Sequence, residues 1–308
     1  MQSILVTGAC GYIGSQLLQS LASIETALTV RLLDNLSTGS YSALRNLPQH
    51  HSYEFIEGDI LNPYLISKAL EGVDVLVHLA AIVLTPMGLT NSRTIQQVNH
   101  WGTLTLFEEA LKQKVGHVIH LSSTAVYGPK LSPKELGFRP FGAYAQAKYE
   151  TEKSLESLKS RGLNVTILRL ATVYGQAPVT RYDAFINKLI SMAATRKQIT
   201  VHGSGDQTRP ALHVKDASGA ILFCLDQIAV NQSLNVLEAN YSVNEIADSI
   251  VADSESVKRQ YIDQDIRSHY SFEVSTDLLS DLGWSPEQKL KDEIRKEMHL
   301  FTAFRRPL

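Results

Sequence analysis

Cysteine is nearly missing from this chain: 308 residues carry two, Cys10 and Cys224, far apart in sequence. No disulfide framework is expected, and a reducing compartment is the natural setting. An excess of one charge is missing as well, with 29 Lys and Arg against 31 Asp and Glu. That balance argues against a chain-wide nucleic-acid or membrane-surface binder, while leaving room for a local basic pocket that takes an anion. Long hydrophobic runs are absent: "VDVLVHLAAIVL" is the longest, interrupted by Asp74 and His78 and too short to span a bilayer. No basic segment, apolar run and cleavage site precede "SILVTGAC", so a cytoplasmic location is the expectation. No cysteine or histidine cluster has metal-ligand spacing, so no metal is expected. Repeats and low-complexity tracts are also lacking.

What is present is an alternation. "SILVTG", "LTVRLLD", "YEFIEGD", "VDVLVHLAA", "HVIHLSST" and "NVTILRLA" read as strands. Between them "YIGSQLLQSLAS", "TIQQVNHWGTLTLFEEALKQ" and "AYAQAKYETEKSLESLKSRG" have helical period. Strands alternating with helices imply βαβ units, hence an α/β fold with a doubly wound parallel (Rossmann) sheet. Beyond Tyr174 the rhythm breaks at "GQAPVTRYDAF". The expected division is therefore 1–169 and a smaller α/β lobe over 170–308, with segments such as "HVKDASGAILFCL" free to pack back on the first part.

The first strand runs directly into "TGACGYIGS", with Gly8, Gly11 and Gly14 spaced Gly-x-x-Gly-x-x-Gly. Glycine permits the tight turn, the approach of backbone to a pyrophosphate and close helix–strand packing. A tight structural turn would explain the pattern alone, but it lies between a strand and a helix. The second strand also ends in Asp34, twenty residues after Gly14. A carboxylate there accepts from adenosine ribose hydroxyls and repels the additional phosphate of NADP. The reading is a dinucleotide site that takes NAD.

At this point the chain resembles a known family, the extended short-chain dehydrogenase/reductases, and within it the nucleotide-sugar epimerases and dehydratases. UDP-sugar 4-epimerases are the nearest group. The resemblance is carried by "TGACGYIG", "DNLSTG", "EGDI", "HLAA", "VNHWGT", "LSSTAVYG", "YAQAK", "RLATVYG" and "RPALHVKD", in the family's order up to about residue 220. It implies cofactor contacts from Gly8, Gly11, Tyr12, Ile13, Gly14, Asp34, Asn35, Leu36, Ser37, Gly39, Asp59, Ile60, Leu79, Ala80, Ala81, Asn99 and Ser122, with Asn99 supporting the active-site helix. It also implies a homodimer formed through the helices after "TIQQVN" and from "AYAQAK".

Tyr144 and Lys148 stand four apart, on one face of a helix. A tyrosine acting as base near neutrality needs its pKa lowered by about three units, on the order of 4 kcal/mol of phenolate stabilisation, and an adjacent ammonium is a suitable source. A snorkelling surface pair is the ordinary alternative. By resemblance, Ser123 supplies the third group, a hydroxyl that orients the substrate oxygen for Tyr144. The implied reaction is hydride chemistry at a carbinol, and in an epimerase the transient 4-keto sugar takes the hydride back on its other face.

Family 4,6-dehydratases carry an Asp-Glu pair after the catalytic hydroxyl, where this chain has Thr124 and Ala125. Neither can serve as acid or base for water elimination, which favours an epimerase acting at C4 of a nucleotide sugar. Substrate contacts are implied for Ser123, Thr124, Thr172, His202 and Arg209, the last suited to bidentate phosphate binding. Three departures stand against the pattern: Thr172 in place of asparagine, Pro210 in place of aspartate, and no Arg-Pro-x-Asp near "YIDQDIRS". There Ile262 or Gln264 occupies the arginine position, with Arg259 and Arg267 nearby. The loop "IVLTPMGLTNS" is also less polar than family sugar loops. The alternatives are an oxidoreductase or dehydratase acting on another sugar nucleotide or a non-sugar alcohol, and a non-catalytic dinucleotide sensor.

Overall fold

The structure is a computed structural model that describes residues 1–83, 92–129, 137–226, 231–252, 257–263, 271–275 and 277–301. Six strands follow the expected alternation: β1 (Gln2–Thr7), β2 (Leu28–Asp34), β3 (Ser52–Glu57), β4 (Val75–His78), β5 (His117–Ser123) and β6 (Val165–Leu170). Helices α1 (Tyr12–Ser20), α2 (Pro63–Leu70), α3 (Ser92–Gln96), α4 (Thr103–Lys112) and α5 (Gly142–Ser160) connect them. The single helix expected after "TIQQ" is interrupted between α3 and α4 by a π-helical turn, Gln97–Gly102. All the strand pairings in the main sheet are parallel, and its order from one edge is β3, β2, β1, β4, β5, β6.

A seventh strand, β10 (Ser233–Val236), closes the far edge beside β6 with Ser233 opposite Ile167. It comes from well beyond residue 170, and no sequence signal singled it out. Helix α7 (Val214–Asp226) returns in the same way. Its Ala217, Ala220, Ile221 and Cys224 join Leu17 and Leu18 of α1, and Leu21 just after it, against Ile4 and Val6 of β1. The opposite face of the sheet buries Leu5, Leu33 and Leu76 under Ile66, Phe107, Leu155 and Leu158 of α2, α4 and α5. The central strands are buried on both faces, which is why they read as unbroken apolar runs.

The smaller lobe has its own core. Strands β7 (Thr172–Tyr174), β9 (Thr208–His213) and β11 (Ala239–Ser242) form one sheet, and β8 (Gln198–His202) pairs with β12 (Lys258–Ile262). Helices α6 (Phe185–Arg196), α8 (Val243–Val251) and α10 (Leu290–Leu300) cover them. Ile186, Ile190, Val201, Ile246, Ile250 and Ile294 make up its interior. The remaining helix, α9 (Asp277–Asp281), buries Leu279 in the first core. In the main sheet the chain leaves β1 toward β2 on one side, whereas β4 lies on the other. That reversal opens a crevice at the carboxyl ends of β1 and β4, where ligands of such sheets bind.

Candidate active site

The glycine turn is built for close approach. Gly8 has φ +70°, and a side chain there would stand 2.6 Å from the backbone nitrogen of Ala80. Gly14 has no room either, since a Cβ would meet the Ala9 carbonyl oxygen at 2.6 Å. The loop thus closes onto Leu79 and Ala80, just past β4, and onto its own helix. At Gly11, the N-cap of α1, no side chain caps the helix and its first turn carries no acid. Unclaimed amides at a helix N-terminus are a seat for an anion.

Asp34 is buried, and both its oxygens are engaged: Cys10 N donates to Oδ2 at 2.9 Å and Leu36 N to Oδ1 at 2.8 Å. The carboxylate therefore fixes the glycine loop as well as facing the crevice, with Gly39 packed against it. Asn35 Nδ2 donates to Asp59 Oδ2 at 2.8 Å, and Asp59 Oδ1 accepts from Leu61 N at 2.8 Å. Asn35 and Ser37 are exposed, Leu36 and Ala81 half-buried, and Ile60 buried. Ile13 packs against the core beneath α1. The close backbone approach at the glycines, the uncapped start of α1 and the Asp34 carboxylate tied to Cys10 N lie together, and their chemistry fits a dinucleotide.

Asn99 sits on the π-helical turn and is fully buried. Its Oδ1 accepts from Ile82 N at 2.7 Å and its Nδ2 donates to Ile82 O at 2.9 Å. Its carbonyl accepts from Thr151 Oγ1 of α5 at 3.0 Å. The side chain is therefore spent on the chain leaving β4, and the backbone on α5. Ser122 likewise turns inward, donating to Glu152 Oε1 at 2.5 Å.

The structure brings Ser123, Tyr144 and Lys148 together. Ser123 ends β5, accepts from Ala125 N at 3.2 Å, and is hydrogen-bonded to the Tyr144 phenol. Burial pushes the Tyr144 pKa up, while the Ser123 hydrogen bond and the Arg181 charge pull it down. Lys148 was expected to lower Tyr144. Instead its Nζ donates to Leu121 O at 2.6 Å. Burial lowers the Lys148 pKa from 10.5 to about 8, with Glu152 opposing. Glu152 is in turn held by Arg169, at 2.6 Å, whose guanidinium also reaches the Tyr127 hydroxyl at 2.9 Å.

Substrate-side residues are less concentrated. Thr124 follows Ser123, but it is buried and donates to Leu170 O at 3.2 Å. Thr172 opens β7 and pairs with Ala211, two residues along β9 from Arg209. Arg209 donates to Thr208 O at 2.8 Å and lies 5.7 Å above the Phe272 ring. His202 ends β8, and its carbonyl accepts from Gln207 at 2.9 Å. Arg259 is turned to Asp248 and Tyr261 on the outside of α8. Gln264, Arg267 and most of "IVLTPMGLTNS" lie outside the described residues. Two features escaped the sequence: Arg181, in a motif-free loop, and the buried Glu152–Arg169 pair beneath Lys148. Among the described residues no group of three or more His, Cys, Asp or Glu could hold a metal, and no helix is long and apolar enough to cross a membrane.

Comparison with known proteins agrees with this geometry. The profile described as "NAD dependent epimerase/dehydratase family" matches residues 4–236. The chain is 26% identical over 318 residues to the dTDP-D-glucose 4,6-dehydratase of Bos taurus, covering 97% of this chain and 88% of that one. It is 30% identical over 308 residues to the "Putative UDP-glucose 4-epimerase" of Methanocaldococcus jannaschii, covering 95% and 96%. Among solved structures, the UDP-N-acetylglucosamine 4-epimerase from Methanobrevibacter ruminantium M1, in complex with UDP-N-acetylmuramic acid, superposes with TM-score 0.85. The two are 27% identical, over 98% of each chain.

Proposed function

The chain belongs to the NAD-dependent epimerase/dehydratase family, and on that footing we propose that it is a nucleotide-sugar epimerase acting at C4 through a transient 4-keto sugar. One observation carries the choice of reaction. The positions after Ser123 hold Thr124, whose hydroxyl is spent on Leu170 O, and Ala125, whose amide is spent on Ser123. Neither offers a carboxyl for eliminating water.

NAD, the family's cofactor, supplies a reversible hydride acceptor when bound. Gly8, Gly11, Gly14, the first-turn amides of α1, Asp34 and Lys148 are the residues that would hold it. Ser123 donates a hydrogen bond to the sugar oxygen and keeps it against Tyr144. Tyr144 removes the proton from that oxygen and returns it once the carbon has been inverted. The positive charge of Arg181 favours the phenolate that this step needs. Arg209 would bind the diphosphate without the second, Arg-Pro-x-Asp arginine.

A panel of UDP-, GDP-, CDP- and dTDP-sugars followed by proton NMR tests this. A C4-inverted product, reduced at least about a thousandfold in rate by Tyr144→Phe, is the expected result. The similarity to 4,6-dehydratases favours a second reading. A 4-keto-6-deoxy product in the same spectra would replace the first reading with that one.

A further inference from the structure

The segment from Gly175 to Ala184 joins β7 to α6 and contains no part of the motifs that define the cofactor groove. It is nevertheless tied to that groove at several points. Tyr12 OH donates to Gly175 O at 2.5 Å and accepts from Asn187 Nδ2 at 3.2 Å. Asn187 also accepts from Gly175 N at 2.8 Å and donates to Arg181 O at 3.1 Å. One turn further along α1, Val179 N donates to Ser15 Oγ at 3.1 Å. Ser42, in the turn after the Asp34–Gly39 loop, donates to Pro178 O at 3.4 Å.

The segment's other edge rests on the small lobe. Glu297 of α10 accepts from Gln176 N, and the His213 ring fills the space a side chain on Gly175 would need, where φ is +102°. The path therefore starts beside Tyr12, touches the turn after the Asp34–Gly39 loop at Pro178 and α1 at Ser15, and comes back to Asn187 through Arg181 O. Tyr12, the first residue of α1, belongs both to the anion seat and to this crossing.

We infer that this segment is a strap that retains the dinucleotide, with Tyr12 and Asn187 as its clasp; the inference rests on the dinucleotide reading of the glycine loop. On this reading a pyrophosphate seated at the start of α1 leaves past the strap, so opening the clasp precedes release. The same step precedes entry. For an enzyme that regains its cofactor's oxidation state in every turnover, slow exchange carries no kinetic penalty. Tyr12 and Asn187 are positioning residues, since they act through the strap.

The experiment measures both association and dissociation of labelled NAD, by rapid mixing and by chase with unlabelled NAD. It uses the full chain and the variants Tyr12→Phe, Asn187→Ala and Ser15→Ala. The expected result for the first two is dissociation faster by about tenfold, the worth of one buried hydrogen bond, with association faster as well. Ser15→Ala, which loses only the Val179 contact and a local helix bond, gives a smaller change in the same direction. It keeps the test decisive if Asn187→Ala folds poorly. Dissociation within twofold of the parent chain would overturn the strap, as would faster dissociation with slower association, which marks a damaged seat. A parent chain that takes up no dinucleotide would overturn the strap and the family reading of the groove together.

Discussion

Lys148 carries its charge where water cannot reach it, and that position has a measurable consequence. In the unfolded chain it holds its proton up to about 10.5, and in the folded ligand-free chain only to about 8. Folding therefore releases a proton between those values. The destabilising contribution is complete below pH 8 and fades as pH rises toward 10.5. A shift of this size corresponds to roughly 3 kcal/mol. Lys148→Met removes it but leaves Leu121 O without its donor, at a cost of about 1 kcal/mol. The ligand-free variant should thus be more stable than the parent by about 2 kcal/mol at neutral pH, with the gap closing under alkaline conditions. Urea unfolding at several pH values measures this, and a less stable variant at neutral pH would refute the buried-charge account. Stability spent on an ammonium at this position makes sense only for a residue kept for its chemistry.

Among the elements, α5 links the most. Lys148, Thr151, Glu152, Leu155 and Leu158 fall on its buried stripe, so one helix carries the candidate ammonium, the bond to Asn99 O and the Glu152–Arg169 pair. Glu152→Gln leaves Arg169 buried beside a neutral amide, a change expected to destabilise by roughly 3 kcal/mol. It also removes the charge that raises the Lys148 pKa. The alkaline fall in activity should then begin at lower pH than in the parent chain. An unchanged pH profile alongside lost stability would reduce Glu152 to a structural role. The helix itself was readable from its alanine-rich, charged periodicity, and the spacing of Tyr144 and Lys148 put them on one face, but their role rested on the resemblance carried by the surrounding motifs. Glu152 looked like one more solvated glutamate, because its partner Arg169 comes from another strand and nothing local pairs them. The same limit hid the π-helical turn that carries Asn99 and its bonds to Ile82. It also hid the use of Asp34 as a brace for Cys10 and Leu36.

Taken as a whole molecule, the chain changes rhythm near residue 170, yet β10 and α7 from beyond that point lie with the first six strands. The first six strands were legible because parallel buried strands are apolar throughout. β10 was not, since the four residues of "SLNV" acquire their place only by docking on β6, whereas the segment that forms α7 already stood out as one free to return. Leu17 and Leu18 of α1 and Leu21 just after it are completely buried, with Ala217, Ala220 and Ile221 of α7 completing the same core. Without α7, these leucines would lose part of their cover, and each fully buried leucine is worth about 1.5–3 kcal/mol. Losing even half of that for three side chains amounts to roughly 3 kcal/mol, before the uncovered edge of β6 is counted. A domain's entire stability is about 5–15 kcal/mol. Residues 1–169 alone should therefore show no cooperative unfolding, and the full chain should unfold in one transition. Far-UV dichroism and tryptophan fluorescence of Trp101 and Trp284 should give coincident urea curves. Two separated transitions, or a cooperatively folding 1–169 fragment, would mean that the dinucleotide half stands without its returning elements. The strap between β7 and α6 would then join two independent bodies instead of closing one.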